Sequence, residues 1–194
     1  GHRIGIRNIE LAEENPDIKA ILPGKTLAEL VKILSGGIDD KVKIQFGKKH
    51  VVFRFGNTVV TSRLIEGNYF MIDKMINGDT PIHMSVNRLE LTASIDRALT
   101  LTGSEKLPVI FDIKGKTLSL STKSARGELS EELDIETSGP ELRIAFNPKF
   151  MIETLKALDE EKVDFYLNNP RQPAFVKNEK GEYLYVILPV NIRA

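Results

Sequence analysis

The chain has no cysteine. That absence excludes disulfides, thiolate-ligated zinc, iron–sulfur clusters and thiol catalysis. It also has no excess of either charge, because 27 Lys and Arg balance 27 Asp and Glu. Contact with a polyanion must therefore come from local patches, not from a polycationic tail. No apolar run approaches the ~18 residues a membrane span requires, and no signal peptide opens the sequence. Histidine is scarce: His2, His50 (expected in a turn after Lys48-Lys49) and His83 (expected in a strand) show no metal-ligand spacing. Phosphate-binding loops, Gly-x-Gly-x-x-Gly and Gly-x-Ser-x-Gly elbows are missing too. The acidic pair Glu131-Glu132 must point to opposite faces of a strand, and Asp159-Glu160-Glu161 falls in a turn after a helix. No catalytic constellation emerges, and no metal or cofactor is expected.

What the sequence does contain is a core and a repeat. With 194 residues, 41% of them hydrophobic, a chain can bury roughly 70% of its unfolded surface. Three anchors, Pro23, Asn87 and Asn147, lie 64 and 60 residues apart. Each closes a short apolar strand and opens a helix. Asn87 and Asn147 are good N-caps, and Pro148 occupies the favoured first helical position. Four, eight and eleven residues beyond the anchors stand Leu27, Val31 and Leu34, then Leu91, Ile95 and Ala98, then Met151, Leu155 and Leu158. That spacing predicts one apolar stripe per helix.

Three alternating β segments follow each helix, separated by turns such as Gly56-Asn57 and Lys114-Gly115-Lys116. The unit is β-α-β-β-β, used three times. One helix cannot cover a sheet of four strands alone, so units are expected to pair around a shared core. The second and third units, 81–194, form such a pair, while the first, 17–65, has no complete partner. We expect the strand from Ile4 to Leu11 to be the last of an absent preceding unit, and the N-terminus to be cut from a longer protein.

Away from their apolar stripes the helices carry Lys25, Lys32, Arg88, Arg97, Lys149 and Lys156, with Glu29, Glu90, Asp96 and Glu153 among them. Two readings are open. One is a solvated face with helix-stabilising charge pairs. The other is a mildly positive surface that tracks phosphates without reading bases. No aromatic residue interleaves with these bases, which disfavours single-strand stacking. The final strand, Tyr183 to Val190, is apolar on both faces. Two readings are open for it as well: full burial inside a sheet, or a wall of a partner groove, since Pro189 confines ladder bonding to an edge or strand-end position.

Several segments resemble the bacterial DNA polymerase III beta subunit family, the sliding clamps. Gly1-His2-Arg3-Ile4-Gly5-Ile6-Arg7 is similar to the end of a Thr-Asp-Gly-His-Arg-Leu-Ala-x-Arg stretch. Ser62-Arg63-Leu64-Ile65-Glu66-Gly67-Asn68-Tyr69 resembles Ser-Arg-Leu-Ile-Glu-Gly-x-Tyr/Phe-Pro. Gly127-Glu128 with Glu131-Glu132-Leu133 matches Gly-Glu-x-x-Glu-Glu-Leu. Phe146-Asn147 with Phe150-Met151 matches Phe-Asn-x-x-Tyr-Leu, and Tyr185 to Val190 matches a closing Tyr-Val-Val-Met-Pro-Met. The family's proline is replaced here by Phe70, and its Met-Pro pair by Leu188-Pro189, a volume-conserving exchange.

The resemblance implies an α+β DNA clamp fold of repeated β-α-β-β-β units, with antiparallel sheets outside and helices lining a channel for duplex DNA. Residues 1–78 would be the second half of the middle domain plus a connector, and 79–194 a complete third domain. It implies a bacterial cytoplasmic protein with no enzymatic activity that forms a homodimeric ring at full length, a ring this chain would not close alone. A pocket for Gln-x-x-Leu-Phe-like peptides of polymerases and clamp loaders would comprise Gly1, His2, Arg3, Ile4, Phe70, Lys74, Met75, Pro173, Val186, Leu188 and Pro189. Lys25, Lys32, Arg88, Arg97, Lys149 and Lys156 would face DNA. Thr100, Leu101, Glu128, Glu131 and Glu132 would meet the neighbouring subunit. The alternative is a peptide-binding adaptor with no DNA role.

Overall fold

The computed structural model describes residues 2–11, 16–34, 41–69, 71–72, 78–103 and 107–192. The chain folds as two units: Leu11–Ile72, and Gly1–Glu10 together with Asp73–Ala194. The first strand, Arg3–Arg7, thus falls in the same compact unit as the C-terminal residues.

The larger unit is built on β1 (Arg3–Arg7), β5 (Ile82–Asn87), β6 (Val109–Lys114), β7 (Thr117–Ser124), β8 (Gly127–Ser138), β9 (Leu142–Phe146), β10 (Lys162–Leu167), β11 (Ala174–Lys177) and β12 (Tyr183–Ile187). These form one sheet in the order β1-β12-β11-β10-β5-β8-β7-β6-β9. Every pairing is antiparallel. The twelve residues of β8 join the halves, since Gly127 to Asp134 pair with β7 and Ile135 to Ser138 pair with β5. Past β12 the chain also touches the β9 edge, where the amide of Val190 donates to the carbonyl of Ala145 at 2.8 Å.

Two helices, α2 (Arg88–Thr102) and α3 (Pro148–Lys156), pack on each other and on this sheet. Asn87 Oδ1 accepts from the amides of Leu89 and Glu90, and Asn147 Oδ1 from that of Lys149. Both caps satisfy amides that the first turn leaves orphaned. Gly103, at φ +56°, ends α2. The expected stripes of these two helices are the centre of the core: Leu91, Ile95, Ala98, Met151, Leu155 and Leu158 are each at most 1% exposed. They meet Met84, Phe111, Leu120, Ile144 and Phe165 from the sheet. Each such large side chain contributes about 1.5–3 kcal/mol by leaving water.

The smaller unit holds α1 (Gly24–Ile33) and a sheet of β2 (Lys43–Phe46), β3 (His50–Phe55) and β4 (Thr58–Arg63). Here three expectations fail. The strand before the helix shrinks to a single bridge, Ile21 to Ile65, and His50 opens β3 instead of lying in the turn. The stripe also differs: Leu27 is 48% and Val31 76% exposed, and Leu30 is the residue buried against Val51 and Phe53. A lone helix on three strands buries one line of side chains. A second helix, which buries the full stripe in the larger unit, is not among the described residues of this one. Thr26 and Ser62 hydroxyls, 2.7 Å apart, fix α1 to β4.

Candidate functional site

Strand register decides which candidate pocket residues can act together. In the β1–β12 pair Ile4 stands opposite Val186, and in the β12–β11 pair Val186 stands opposite Phe175. Directly opposed residues share a face. The amide of Leu188 donates to the carbonyl of His2 at 2.9 Å, carrying the ladder one step beyond β12. Pro189 then follows, where no amide is needed. Of the two readings of the final strand, burial inside the sheet holds, and Pro189 lies past the strand end. The strand is internal, flanked by β1 and β11, and the sheet edges are β1 and β9.

Val186 is only 1% exposed, so it forms the floor of this face, while Ile4, Pro173, Leu188 and Pro189 are half-buried. His2 is exposed, with its ring 6.1 Å from that of Phe150. Arg3 leaves the Ile4 face, because adjacent strand residues alternate. It makes an ion pair with Glu153 of α3, and its guanidinium lies 4.8 Å from the Phe150 ring centre. A cavity of about 230 Å³ opens there, lined by Arg3, Ile4, Gly5, Glu153, Thr154 and Tyr185. Gly1, Phe70, Lys74 and Met75 lie outside the described residues. Phe150, beside His2 and Arg3, and Phe175, opposite Val186, adjoin the candidate residues and were not named from the sequence. Phe150 could have been found, since it sits inside the Phe-Asn-x-x-Phe-Met motif.

A separate cavity of about 460 Å³ lies where β6 and β9 meet the C-terminal segment, lined by Leu107, Pro108, Ile110, Asn147, Val190 and Ile192 among others. It contains none of the candidate pocket residues.

The six helix cations divide into two kinds. On α1, Lys32 donates to Glu29 at 2.9 Å and Lys25 is exposed. On α2, Arg88 Nε donates to the carbonyl of Glu160 at 2.7 Å. Arg97 donates from Nε and Nη2 to the two carboxylate oxygens of Glu131, both at 2.6 Å. Lys149 and Lys156 on α3 are exposed and have no ion pair among the described residues. The sequence treated these six as one group. The fold commits Arg88 and Arg97 to partners distant in the chain.

The candidate subunit-contact residues also separate. Glu128 and Glu132 fall on the exposed side of β8, Glu128 paired with Lys123. Glu131 points to the side of α2, where Ser94 Oγ also donates to it at 2.6 Å. The hydrogen bonds from Arg97, then that from Ser94, hold its carboxyl below the usual carboxylate range. Thr100 is exposed and Leu101 half-buried near the turn at Gly127. Burial pushes the Tyr183 hydroxyl up to about 12, with Glu160 adding to the effect. Among the described residues no His, Asp and Glu side chains converge as metal ligands, and no helix is long and apolar enough to cross a membrane.

The family model for the DNA polymerase III beta subunit, central domain, matches residues 1–70, and that for its C-terminal domain matches residues 74–191. The beta sliding clamp of Staphylococcus aureus is 34% identical over 194 residues, and that of Staphylococcus epidermidis 33% over 193. Each alignment covers 97% of this chain and 51% of the relative, so the chain spans about half the length of the curated relatives it matches. A solved structure described as a DNA polymerase III beta subunit from Eubacterium rectale is 44% identical, with a TM-score of 0.96 over 99% of this chain and 53% of that one. The beta subunit of Streptococcus pyogenes, 28% identical, superposes with a TM-score of 0.88 over 98% of this chain and 53% of its own. Two family matches in chain order and a shared fold lead to one conclusion: this chain belongs to the DNA polymerase III beta subunit family, the sliding clamps.

Proposed function

We propose that this chain is the part of a sliding clamp that captures polymerase and clamp-loader peptides and lines duplex DNA, and that it has no catalytic activity. The peptide groove is the face shared by Ile4, Val186, Leu188, Pro189 and Pro173, and it takes the Leu and Phe of a Gln-x-x-Leu-Phe-like motif. The duplex is contacted without sequence preference by lysines that have no ion pair among the described residues, Lys25 in the smaller unit and Lys149 and Lys156 in the larger. A full-length ring is homodimeric, with Thr100, Leu101, Glu128 and Glu132 at the subunit contact, and works in the bacterial cytoplasm on replicating DNA.

The observation that carries this reading is the pairing of Ile4 with Val186, extended by the bond from Leu188 to His2. It gathers apolar side chains from the two ends of the chain onto one face. Burying a Leu and a Phe there is worth about 3–6 kcal/mol before ordering costs, so a micromolar contact, about 8 kcal/mol, also draws on the peptide's polar and backbone groups. Sparse cations suit a ring that must slide, because many discrete phosphate contacts would hold it in place. The test is fluorescence anisotropy of a labelled Gln-Leu-Asp-Leu-Phe peptide. Saturable binding lost in Leu188→Asp is expected; equal binding by both proteins contradicts the groove.

A further inference from the structure

Glu131 is out of place by the logic of its strand. Its neighbours on the α2 side of β8 are Leu129, Leu133 and Ile135, an apolar row that packs on the core. A carboxylate in that row must be paired, or its desolvation opposes folding. It is fully provided for: Arg97 grips both oxygens at 2.6 Å, and Ser94, which has no solvent exposure, donates to Oε2 at 2.6 Å. The side chain of Glu131 is a quarter exposed and that of Arg97 just over half.

The consequence lies on the helix surface. The exposed residues of α2 include Leu89, Glu90, Ala93, Asp96, Arg97 and Thr100. Arg97 is the cation of that face and two acids accompany it. Arg88 is drawn aside to the Glu160 carbonyl. With Arg97 paired to Glu131, the one cation on the exposed face of α2 is neutralised, and Arg88 is half-buried beside the Glu160 carbonyl, whereas α3 offers Lys149 and Lys156.

We propose that Glu131 is a charge-silencing residue, which holds Arg97 against β8 and keeps α2 from gripping the phosphate backbone. It is a positioning residue, acting on DNA only through Arg97, and this inference rests on the duplex reading above. Without Glu131 the guanidinium is free to reach a phosphate, and a site that adds one contact retards movement along the duplex.

The experiment is anisotropy of a labelled duplex oligonucleotide with the 194-residue chain, across a salt series. Glu131→Gln keeps the side chain's shape and an acceptor for Ser94 while removing the charge. It should bind roughly three- to tenfold tighter near 50 mM salt, with a log–log salt slope steeper by about 0.9. The gain should vanish in Glu131→Gln with Arg97→Ala. Arg97→Ala alone serves as a second variant and should leave affinity and slope as in the parent. An unchanged Glu131→Gln, a gain that survives loss of Arg97, or a slope that drops by about 0.9 in Arg97→Ala overturns the inference. Lys149→Ala with Lys156→Ala separates the two levels. If that pair weakens parent binding while Glu131→Gln matches the parent, only the inference falls. If neither parent nor Glu131→Gln binds duplex even near 20 mM salt, the duplex reading falls and takes the inference with it.

Discussion

Tyr185 lies across Gly5. The two stand opposite each other in the β12–β1 pair, and a Cβ added at Gly5 would sit 3.0 Å from Cε1 of the tyrosine ring. The ring covers backbone that glycine leaves bare, a known way to stabilise glycine in a strand. This contact matters for function because Ile4, one residue away, forms part of the proposed groove.

Substituting Gly5 with valine should therefore displace the ring and loosen β1. We expect a loss of about 1–3 kcal/mol, the usual cost of overpacking, together with weaker peptide binding. Thermal melts paired with peptide titrations check this. Unchanged values in both would show that the Gly5–Tyr185 contact does not hold β1.

A stricter backbone constraint lies at the β8–β9 turn. Gly139 has φ +95°, and a Cβ there would come within 2.2 Å of the Pro81 carbonyl oxygen. Neither atom can move without shifting β5 or β8. Gly139→Ala should cost about 2–4 kcal/mol, or roughly 5–15 °C in Tm. A melt within 2 °C of the parent, by differential scanning calorimetry, would contradict it.

Much of this was legible in the sequence where the cause is local. The caps at Asn87 and Asn147 depend on side chains within three residues, and the stripes of α2 and α3 follow from helical period alone. The stripe of α1 was misread because burial needs a neighbour: Leu27 and Val31 have the right spacing and remain exposed. The partnership of Arg97 with Glu131, 34 residues apart, depends on where β8 docks beneath α2, and no periodicity in the sequence encodes that. Arg3 and Ile4 were grouped for the pocket by resemblance; both line one cavity, while strand alternation turns their side chains to opposite faces. The face of Ile4, Val186 and Leu188 became readable only through the family motif, since the pairing joins the two ends of the chain.

Tyr183 should govern stability at alkaline pH. Its folded hydroxyl titrates at about 12, above an ordinary value of about 10. Folding therefore favours the protonated form. Its contribution is complete below about pH 10 and is lost as pH rises toward about 12. The difference in denaturation midpoint between the parent and Tyr183→Phe should stay flat up to about pH 10 and then shift in favour of the variant. A difference that stays flat through about pH 12 would count against burial as the cause.

Arg88 and Lys156 should behave in opposite ways. Arg88→Ala loses the bond to Glu160, so it should cost about 1 kcal/mol of stability and leave the salt dependence of duplex binding alone. Lys156→Ala should leave the melt in place and reduce the salt slope by about 0.9. Urea titrations and salt-dependent anisotropy on both variants test the pair, and a reversed pattern would reassign the two side chains.

The central claim, that a peptide with Leu and Phe anchors docks on the Ile4–Val186–Leu188 face, is tested most directly by methyl NMR of the Ile-, Leu- and Val-labelled chain during titration with Gln-Leu-Asp-Leu-Phe. We expect shifts concentrated at Ile4, Val186 and Leu188, with Ile110, Val190 and Ile192 of the other cavity unmoved. Shifts concentrated in that second cavity, or no shifts at saturating peptide, would contradict it.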